Sequence, residues 1–133
     1  MKATMSTKYT NGNESKPILA FHGTKLENIP NIVQANFDLS KLASNTGNRG
    51  AYGAGIYFSE FPEVSIGYGN TGRLLLCRVL PGKSYDCKSQ MLGQSLQAGY
   101  DSHRHMADAE GRGKELVIFD VDQILPCYVI NYK

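Results

Sequence analysis

The stretch GAYGAGIYFS, residues 50–59, decides how the rest of the chain is interpreted. Three glycines within six residues allow the backbone to turn tightly and to approach a ligand closely, because glycine has no Cβ. The Ile-Tyr-Phe that follows has the composition of a β-strand. A dinucleotide-binding fingerprint has its glycines between a strand and a helix, so this order does not match one. Alone, such a stretch is more typical of an ordinary hairpin or bulge than of a ligand site.

Length and composition predict one globular domain. The chain has 133 residues, of which 41% are apolar and 20% charged. A chain of this length and composition can bury a hydrophobic core without disulfides or a structural metal. Residues 1–16 are polar and aperiodic and are expected to form a flexible leader, so the domain is predicted over residues 17–133. The net charge of +2, with scattered basic residues, disfavours a nucleic-acid or membrane surface.

The cysteines do not form a disulfide or metal-binding pattern. Cys77, Cys87 and Cys127 are odd in number and lack C-x-x-C spacing, which argues against both a disulfide framework and a zinc site. A reducing, intracellular setting is expected, with the cytoplasm as the predicted location and the nucleus as the alternative. No apolar run approaches the ~18 residues of a membrane span, and the chain does not open with a signal-peptide pattern.

Short apolar runs predict the strands of an α+β fold. Strands are predicted at residues 17–21, 73–80, 114–120 and 126–132, in addition to the one after the glycines. Strands outnumber helices and few helices separate them, so a largely antiparallel sheet is expected. The segment 85–113 is irregular and polar. Its His-Arg-His, residues 103–105, is interpreted as a solvated loop, because no third ligand is spaced for a metal.

Two short helices are predicted, at residues 26–35 and 60–67. In the first, apolar residues recur at helical spacing, and Pro30 should lie in the first turn or two, where its missing N–H costs least. Thr24 and Glu27 have the spacing of a capping box. A polar loop of about fifteen residues lies between the two helices, a length typical of functional lids or disordered segments.

Two ionisable side chains lie at the ends of predicted strands. His22 ends the first strand, immediately before Gly23, where a histidine can point into a cleft. An isolated histidine there is more often a satisfied structural residue. Glu115 lies at the mouth of its strand, where a glutamate is usually solvated surface.

In combination, these segments resemble the catalytic domain of the poly(ADP-ribose) polymerase family, the diphtheria-toxin-like ADP-ribosyltransferases. The resemblance extends from about Pro17 to the C-terminus and depends on the order and spacing of several short motifs. These motifs are FHGT at residues 21–24, GAGIYFS at 53–59, Ser65 and Tyr68 eight and eleven residues beyond Tyr57, LLCRV at 75–79, GYDS at 99–102, and Glu115 followed by Gln123 and PCYVI at 126–130.

The resemblance implies an ADP-ribosyltransferase fold, with a split and largely antiparallel β-sheet core, short flanking helices and a cleft for NAD. It implies that His22 holds the adenine-side ribose, and that the Gly23 backbone and Ser65 bond the nicotinamide amide. Tyr57 and Tyr68 would enclose the nicotinamide ring, whose positive charge an aromatic face attracts by ~0.5–2 kcal/mol.

Further roles are implied for residues around this cleft. Thr24 and Asn28 match positions that contact the adenosine side. Residues 37–49 would form a flap over NAD, although Asp38 stands where many relatives have a basic residue. Glu115 would be the catalytic residue and would complete a set with His22 and Tyr57. Its carboxylate would stabilise positive charge on the ribose and could also orient or deprotonate a nucleophile.

The expected activity is transfer of ADP-ribose from NAD, used as a co-substrate without a metal, to a macromolecular acceptor, with release of nicotinamide. The acceptor is expected to be a protein or a nucleic acid, including the chain itself, and Glu115 permits polymer elongation without establishing it. We expect a monomer with no membrane partner. We also expect constitutive access of NAD, because there is no room for the regulatory helical domain of the nuclear polymerases.

Two alternatives stay open. A catalytically silent module that binds NAD or ADP-ribose would use the same cleft, although the intact His-Tyr-Glu set argues against it. An NAD-using tRNA 2′-phosphotransferase would need clustered arginines for an RNA phosphate, whereas the five arginines of this chain are dispersed.

Overall fold

The computed structural model describes residues 16–38, 50–69, 71–106 and 114–132, apart from the side chains of Tyr68 and Gly69. The predicted leader and most of the predicted flap lie outside these residues. The elements in chain order are β1 (Ile18–His22), α1 (Ile29–Ala35), β2 (Ile56–Phe58), α2 (Pro62–Gly69), β3 (Arg73–Val79), β4 (Ser84–Asp86), β5 (Ser102–His105), β6 (Glu115–Ile118) and β7 (Ile124–Asn131), with 3₁₀ turns at Leu26–Asn28 and Val121–Gln123.

The described strands form two sheets, in the orders β1-β3-β7 and β2-β6-β5-β4. All pairs are antiparallel except β4 with β5, which is parallel. One isolated bridge between Phe21 and Ser59 connects the end of β1 to the end of β2. The predicted α+β class and the largely antiparallel, split sheet are therefore confirmed.

The core lies where the two sheets and α1 face one another. Alternate residues along the strands enter it, as the side-chain period of two requires. The buried residues are Ala20, Leu75, Cys77 and Val79 of the first sheet, Ile56, Phe58, Leu116 and Ile118 of the second, and Ile29, Ile32, Phe37 and Ile124 beside them. These residues bring the ends of β1 and β2 together, which is where the candidate site lies.

The first helix is shorter than predicted and begins differently. Leu26–Asn28 forms a 3₁₀ turn, and α1 starts only at Ile29. Pro30 lies in the first turn, as expected. The predicted capping box is wrong, because Lys25 precedes the 3₁₀ turn and makes no side-chain cap. Thr24 Oγ1 instead accepts a hydrogen bond of 3.1 Å from Asn28 Nδ2.

The interpretation of residues 103–105 as a solvated loop is wrong. They belong to β5, which pairs with both β4 and β6. His103 is fully buried, and Arg104 forms an ion pair with Asp86. The sequence did not reveal this strand because its residues are polar. The buried histidine is tolerated inside the fold because both of its ring nitrogens bond to backbone groups. Its Nδ1–H donates to Tyr52 O at 2.8 Å, and its Nε2 accepts from Gln97 N at 2.9 Å.

The glycines before β2 are required by close contacts. A Cβ on Gly53, which has a φ of +120°, would lie 2.7 Å from Phe119 Cζ and 2.9 Å from His103 Nδ1. A Cβ on Gly55 would lie 2.6 Å from Val117 Cγ1. The turn predicted from the sequence is therefore pressed against the second sheet, and only glycine permits that approach.

The structure also locates the cysteines and allows a search of the described residues for metal sites and membrane-spanning helices. The three cysteines are free, with Cys77 and Cys87 buried and Cys127 exposed. Among the described residues, no group of three or more His, Cys, Asp and Glu side chains is arranged to hold a metal ion. No helix in that part of the chain has the length and apolar character to cross a membrane.

Candidate active site

His22 and Tyr57 are directly connected. His22 ends β1, and its Nδ1 lies 2.7 Å from the carbonyl oxygen of Tyr57 on β2. Because a carbonyl can only accept, Nδ1 carries the proton. The lone pair of Nε2 is thus directed away from this bond and can accept a hydrogen bond from a ligand hydroxyl.

The His22 imidazole is neutral at physiological pH. Burial lowers its pKa to about 4, although the bond to Tyr57 partly opposes this shift. The ring is enclosed by Phe37, with centroids 4.8 Å apart, and by Phe58, at 5.4 Å. An apolar surrounding disfavours the charged form of histidine, which explains the direction of the shift.

The chain after α1 is anchored so that Phe37 reaches His22. Asn36 has a φ of 72° and a ψ of 179°, a strained backbone conformation that is rare outside glycine. Its side-chain Nδ2 donates to Val121 O and Ile124 O, both at 3.3 Å, and its Oδ1 accepts from Phe37 N at 2.8 Å. The start of the predicted flap is therefore anchored beside the candidate site.

Ser65 of α2 lies next to the same strand end. Its side chain is buried, and its hydroxyl donates to the carbonyl of Phe21 at 2.8 Å. With its proton used in this bond, the Ser65 oxygen keeps lone pairs that can accept an N–H from an amide. Tyr68 follows one turn later on α2, and its side chain lies outside the described part of the structure.

Tyr57 and Glu115 lie on the same face of the second sheet. Tyr57 is the register partner of Val117 on β6, and Glu115 precedes Val117 by two residues, so the three side chains share a face. The pKa of Tyr57 is raised to about 12, chiefly by burial; the backbone bond to Tyr52 opposes this shift, and the charge of Glu115 contributes to it. The phenol is therefore protonated at neutral pH.

The Tyr57 hydroxyl also fastens the glycine turn. It donates to Gly53 O at 2.8 Å and accepts from Tyr52 N at 2.8 Å. The ring is consequently held by backbone atoms on both sides of its oxygen. The turn and the ring position depend on each other, which explains why the glycines and Tyr57 occur in one motif.

Two cavities of about 270 Å³ lie elsewhere. One is lined by Val33, Leu75 and residues 126–129, and the other by Ile18, Leu116, Lys114, Arg104 and residues 81–84. Neither is lined by His22, Tyr57, Ser65 or Glu115, so the candidate site is defined here by side-chain contacts.

The comparison with known families agrees with this geometry. Residues 2–113 match the poly(ADP-ribose) polymerase (PARP) catalytic domain. The chain belongs to the PARP catalytic domain family. The resemblance inferred from the short motifs is thereby confirmed. The matched residues include His22, Tyr57 and Ser65 and end just before Glu115, which the sheet register places on the same face as Tyr57.

Curated relatives of the chain are also members of this family by name. Protein mono-ADP-ribosyltransferase PARP4 of Mus musculus is 28% identical over 130 residues, which cover 86% of this chain and 7% of that protein. The Homo sapiens PARP4 is 28% identical over 134 residues, covering 89% and 8%. Putative poly [ADP-ribose] polymerase-like 100L of Invertebrate iridescent virus 6 is 28% identical over 137 residues, covering 93% and 76%. The chain therefore spans only a small part of the PARP4 proteins.

Two residues of this PARP domain carry structural roles that the sequence did not reveal. Ser59 is almost fully buried, and its hydroxyl donates to Lys114 O at 2.5 Å and accepts from Phe61 N at 3.0 Å. It thus joins β2, α2 and the residue before Glu115. Tyr52 stacks on His105, with ring centroids 4.2 Å apart and planes at 12°. Each role depends on a partner distant in the sequence, so no local pattern reports it.

Proposed function

We propose that this chain is an ADP-ribosyltransferase that takes ADP-ribose from NAD and transfers it to a macromolecular acceptor, releasing nicotinamide. The observation that carries the proposal is the direct bond between His22 Nδ1 and the Tyr57 carbonyl, with Glu115 on the same sheet face as the Tyr57 side chain. NAD is the substrate of the family to which the domain belongs.

His22 at the end of β1 and Ser65 of α2 beside it would bind the donor. The neutral His22 would accept a ribose hydroxyl proton at Nε2, a role that an imidazolium could not fill, and its low pKa keeps it neutral. Ser65 would accept from the nicotinamide amide, since its own proton is donated to Phe21 O. The Gly23 backbone would bond the same amide, and Thr24 with Asn28 would contact the adenosine side.

The Tyr57 ring would lie against the nicotinamide, with the Tyr68 ring on the opposite side. The nicotinamide of NAD is positively charged, and aromatic faces attract cations. The hydroxyl of Tyr57 is held by Gly53 and Tyr52, so the ring would be preorganised and little rotamer freedom would be lost on binding.

Glu115 would act on the reacting ribose. When the bond from the ribose C1 to the nicotinamide nitrogen breaks, its electron pair moves to the nicotinamide, and positive charge develops on the sugar. A carboxylate bonded to the neighbouring 2′-hydroxyl stabilises that charge as it forms, an effect worth several kcal/mol. An acceptor oxygen or nitrogen then bonds to C1 and loses its proton.

The acceptor is proposed as a protein or nucleic acid in the cytoplasm or nucleus, with the chain itself as one acceptor. The direct test is to incubate the purified chain with labelled NAD, alone and with cell extract, and to analyse products by denaturing gel and mass spectrometry. One discrete shift on a macromolecule would indicate single transfer, and a ladder would indicate polymer.

The Glu115→Gln variant is the matched control, because it keeps the size of the side chain and one acceptor oxygen and removes its charge. We expect NAD binding within a few-fold of wild type and transfer reduced by about 10²–10³-fold or more. Equal transfer by this variant would exclude Glu115 from catalysis. Binding of NAD without turnover by the wild type would instead favour the silent recognition module, and removal of a 2′-phosphate from RNA would favour the phosphotransferase.

A further inference from the structure

A histidine lies directly beside Glu115 in the sheet. His105 on β5 is the register partner of Glu115 on β6. In an antiparallel pair, residues directly opposite each other project to the same face, with Cβ atoms roughly 4.5–5.5 Å apart. His105 therefore shares the face that carries Glu115 and, diagonally across β6, Tyr57.

The proton on His105 is located by its hydrogen bond. Nδ1 lies 3.2 Å from the carbonyl oxygen of Cys87, so in the neutral ring Nδ1 carries the hydrogen and Nε2 carries the lone pair. The stacked Tyr52 ring fixes the plane of the imidazole. Both His105 and Glu115 are half-buried, and solvent still reaches them.

His103, two residues earlier on the same strand, has a purely structural role and serves as a comparison for His105. It is fully buried, and backbone groups of Tyr52 and Gln97 occupy both of its ring nitrogens. His105 differs because it is half-buried and lies opposite a carboxylate. The strand thus presents two histidines on one face, the first used by the fold and the second beside the candidate site.

The two carboxylate functions implied for Glu115 compete with each other. A carboxylate bonded to the ribose 2′-hydroxyl has one oxygen engaged, and that hydrogen bond stabilises its charged form, so the carboxylate becomes a weaker base toward the proton of the nucleophile. Imidazole is the side chain best suited to accept a proton at neutral pH. A neighbouring histidine would separate the two tasks.

We propose that His105 Nε2 is the general base for an acceptor that enters the site as a neutral hydroxyl, while Glu115 stabilises the ribose. This rests on the transferase function proposed above. In the step, the acceptor oxygen bonds to the ribose C1, and the bond from C1 to the nicotinamide nitrogen breaks with its electron pair going to nicotinamide. The hydroxyl proton goes to Nε2, which later releases it to water.

The proposal distinguishes two classes of nucleophile. A hydroxyl must lose a proton during the step, whereas an anion such as azide bonds to C1 with no proton to lose. Loss of the base should therefore slow reaction with water or methanol and spare reaction with azide. A merely structural role for His105 would affect both classes equally.

The test measures nicotinamide release from NAD by the whole chain, with water or methanol and with added sodium azide, and identifies the ADP-ribosyl azide by mass spectrometry. For His105→Gln we expect release with water or methanol to fall by about 10²-fold or more, and azide to return it to within about tenfold of the wild-type rate with azide. Glu115→Gln should be slow with both nucleophiles, because its loss acts on the ribose.

A second variant guards against a folding defect. His105→Phe keeps an aromatic ring against Tyr52 and lacks both nitrogens, so it should behave as His105→Gln does. Unchanged release with water in both variants, or equal loss with water and azide, would overturn the role of His105 and leave the transferase proposal standing. Absence of nicotinamide release by the wild type with either nucleophile would overturn both.

Discussion

Phe21 and Ser59 exchange backbone hydrogen bonds in both directions, with Phe21 N to Ser59 O at 2.7 Å and Ser59 N to Phe21 O at 3.0 Å. This pair is the bridge between the two sheets. His22 follows Phe21 directly, and Tyr57 precedes Ser59 by two residues, so the bridge sets the distance between them. The candidate site is built on the joint between the sheets.

The carbonyl of Phe21 accepts a second hydrogen bond, from Ser65 Oγ. The Ser65→Ala variant should therefore change the stability of the fold little and the affinity for nicotinamide more. The carbonyl keeps its bond from Ser59 N, so we expect a loss of only about 1 kcal/mol in the free energy of unfolding. Nicotinamide affinity should fall by about tenfold, because an amide acceptor is removed. Calorimetric titration with nicotinamide would measure it.

Ser84→Ala is the control for that measurement, since Ser84 Oγ bonds Ser102 Oγ at 2.5 Å on the strands farthest from the bridge. Its nicotinamide affinity should match that of wild type. An unchanged affinity in Ser65→Ala would remove Ser65 from the donor site.

Tyr57 has a ring and a hydroxyl with different tasks, and two variants separate them. Tyr57→Ala should reduce NAD affinity by roughly 2- to 30-fold, the equivalent of about 0.5–2 kcal/mol of cation–π attraction. Tyr57→Phe keeps the ring and loses the bonds to Gly53 O and Tyr52 N, so it should lower the free energy of unfolding by about 1–3 kcal/mol. Calorimetry and urea unfolding would measure the two effects.

If Tyr57→Ala bound NAD as tightly as wild type, the ring would have no place in the donor site. If Tyr57→Phe were as stable as wild type, the hydroxyl would not hold the glycine turn. Since Tyr57→Ala also loses the hydroxyl, the contribution of the ring is the difference in NAD affinity between Tyr57→Ala and Tyr57→Phe.

The sequence predicted what depends on local pattern. The apolar runs at β1, β3 and β7 have the continuous or alternating pattern of strands. The glycines before β2 predicted a close backbone approach, which Gly53 and Gly55 make. The order and spacing of the short motifs also indicated the family to which the chain belongs. These features are local in the chain, so a single sequence carries them.

The sequence missed what depends on partners far along the chain. β5 has the polar sequence Ser-His-Arg-His, and its strand conformation comes from pairing with β4 and β6. His103 was concealed because its ring bonds go to the backbone of Tyr52 and Gln97, distant residues that no spacing rule connects. The capping box failed for a similar reason, since Thr24 found a side-chain partner in Asn28.

The low pKa of His22 predicts a specific acid sensitivity. The pKa of His22 is about 4 in the folded chain, below the ordinary 6.5, so between these values the unfolded chain binds the proton and the folded chain does not. The free energy of unfolding therefore falls as the pH drops from about 6.5 to about 4, by at most about 3 kcal/mol from this residue.

The measurement is urea unfolding of wild type and His22→Gln at about pH 7 and about pH 4.5. The variant cannot titrate at this position, so its loss of stability on acidification should be smaller than that of wild type. The pKa of Asp86 is lowered by its hydrogen bond to Arg104, so protonation of Asp86 also lowers the stability in acid. This loss should be the same in wild type and variant. Equal acid losses would show that His22 is not held neutral by burial.

Gly55 and Gly67 offer one substitution with opposite expected effects. A Cβ on Gly55 would lie 2.6 Å from Val117 Cγ1 and 2.7 Å from Ile118 O, and the second contact is backbone that cannot move aside cheaply. Gly55→Ala should therefore lower the free energy of unfolding by about 1–3 kcal/mol or more. It should also reduce transfer, because Val117 is the register partner of Tyr57 and lies two residues from Glu115 on the same face of β6.

Gly67 lies on the exposed side of α2, and a Cβ there meets nothing within 4 Å. Gly67→Ala should raise stability by up to about 1 kcal/mol, because alanine favours a helix over glycine, and should leave transfer unchanged. Thermal unfolding and nicotinamide release, measured side by side on the two variants, would test the pair. A tolerated alanine at Gly55 would mean that the glycine turn does not need its close approach to β6, and the link between that turn and the position of the Tyr57 ring would be lost.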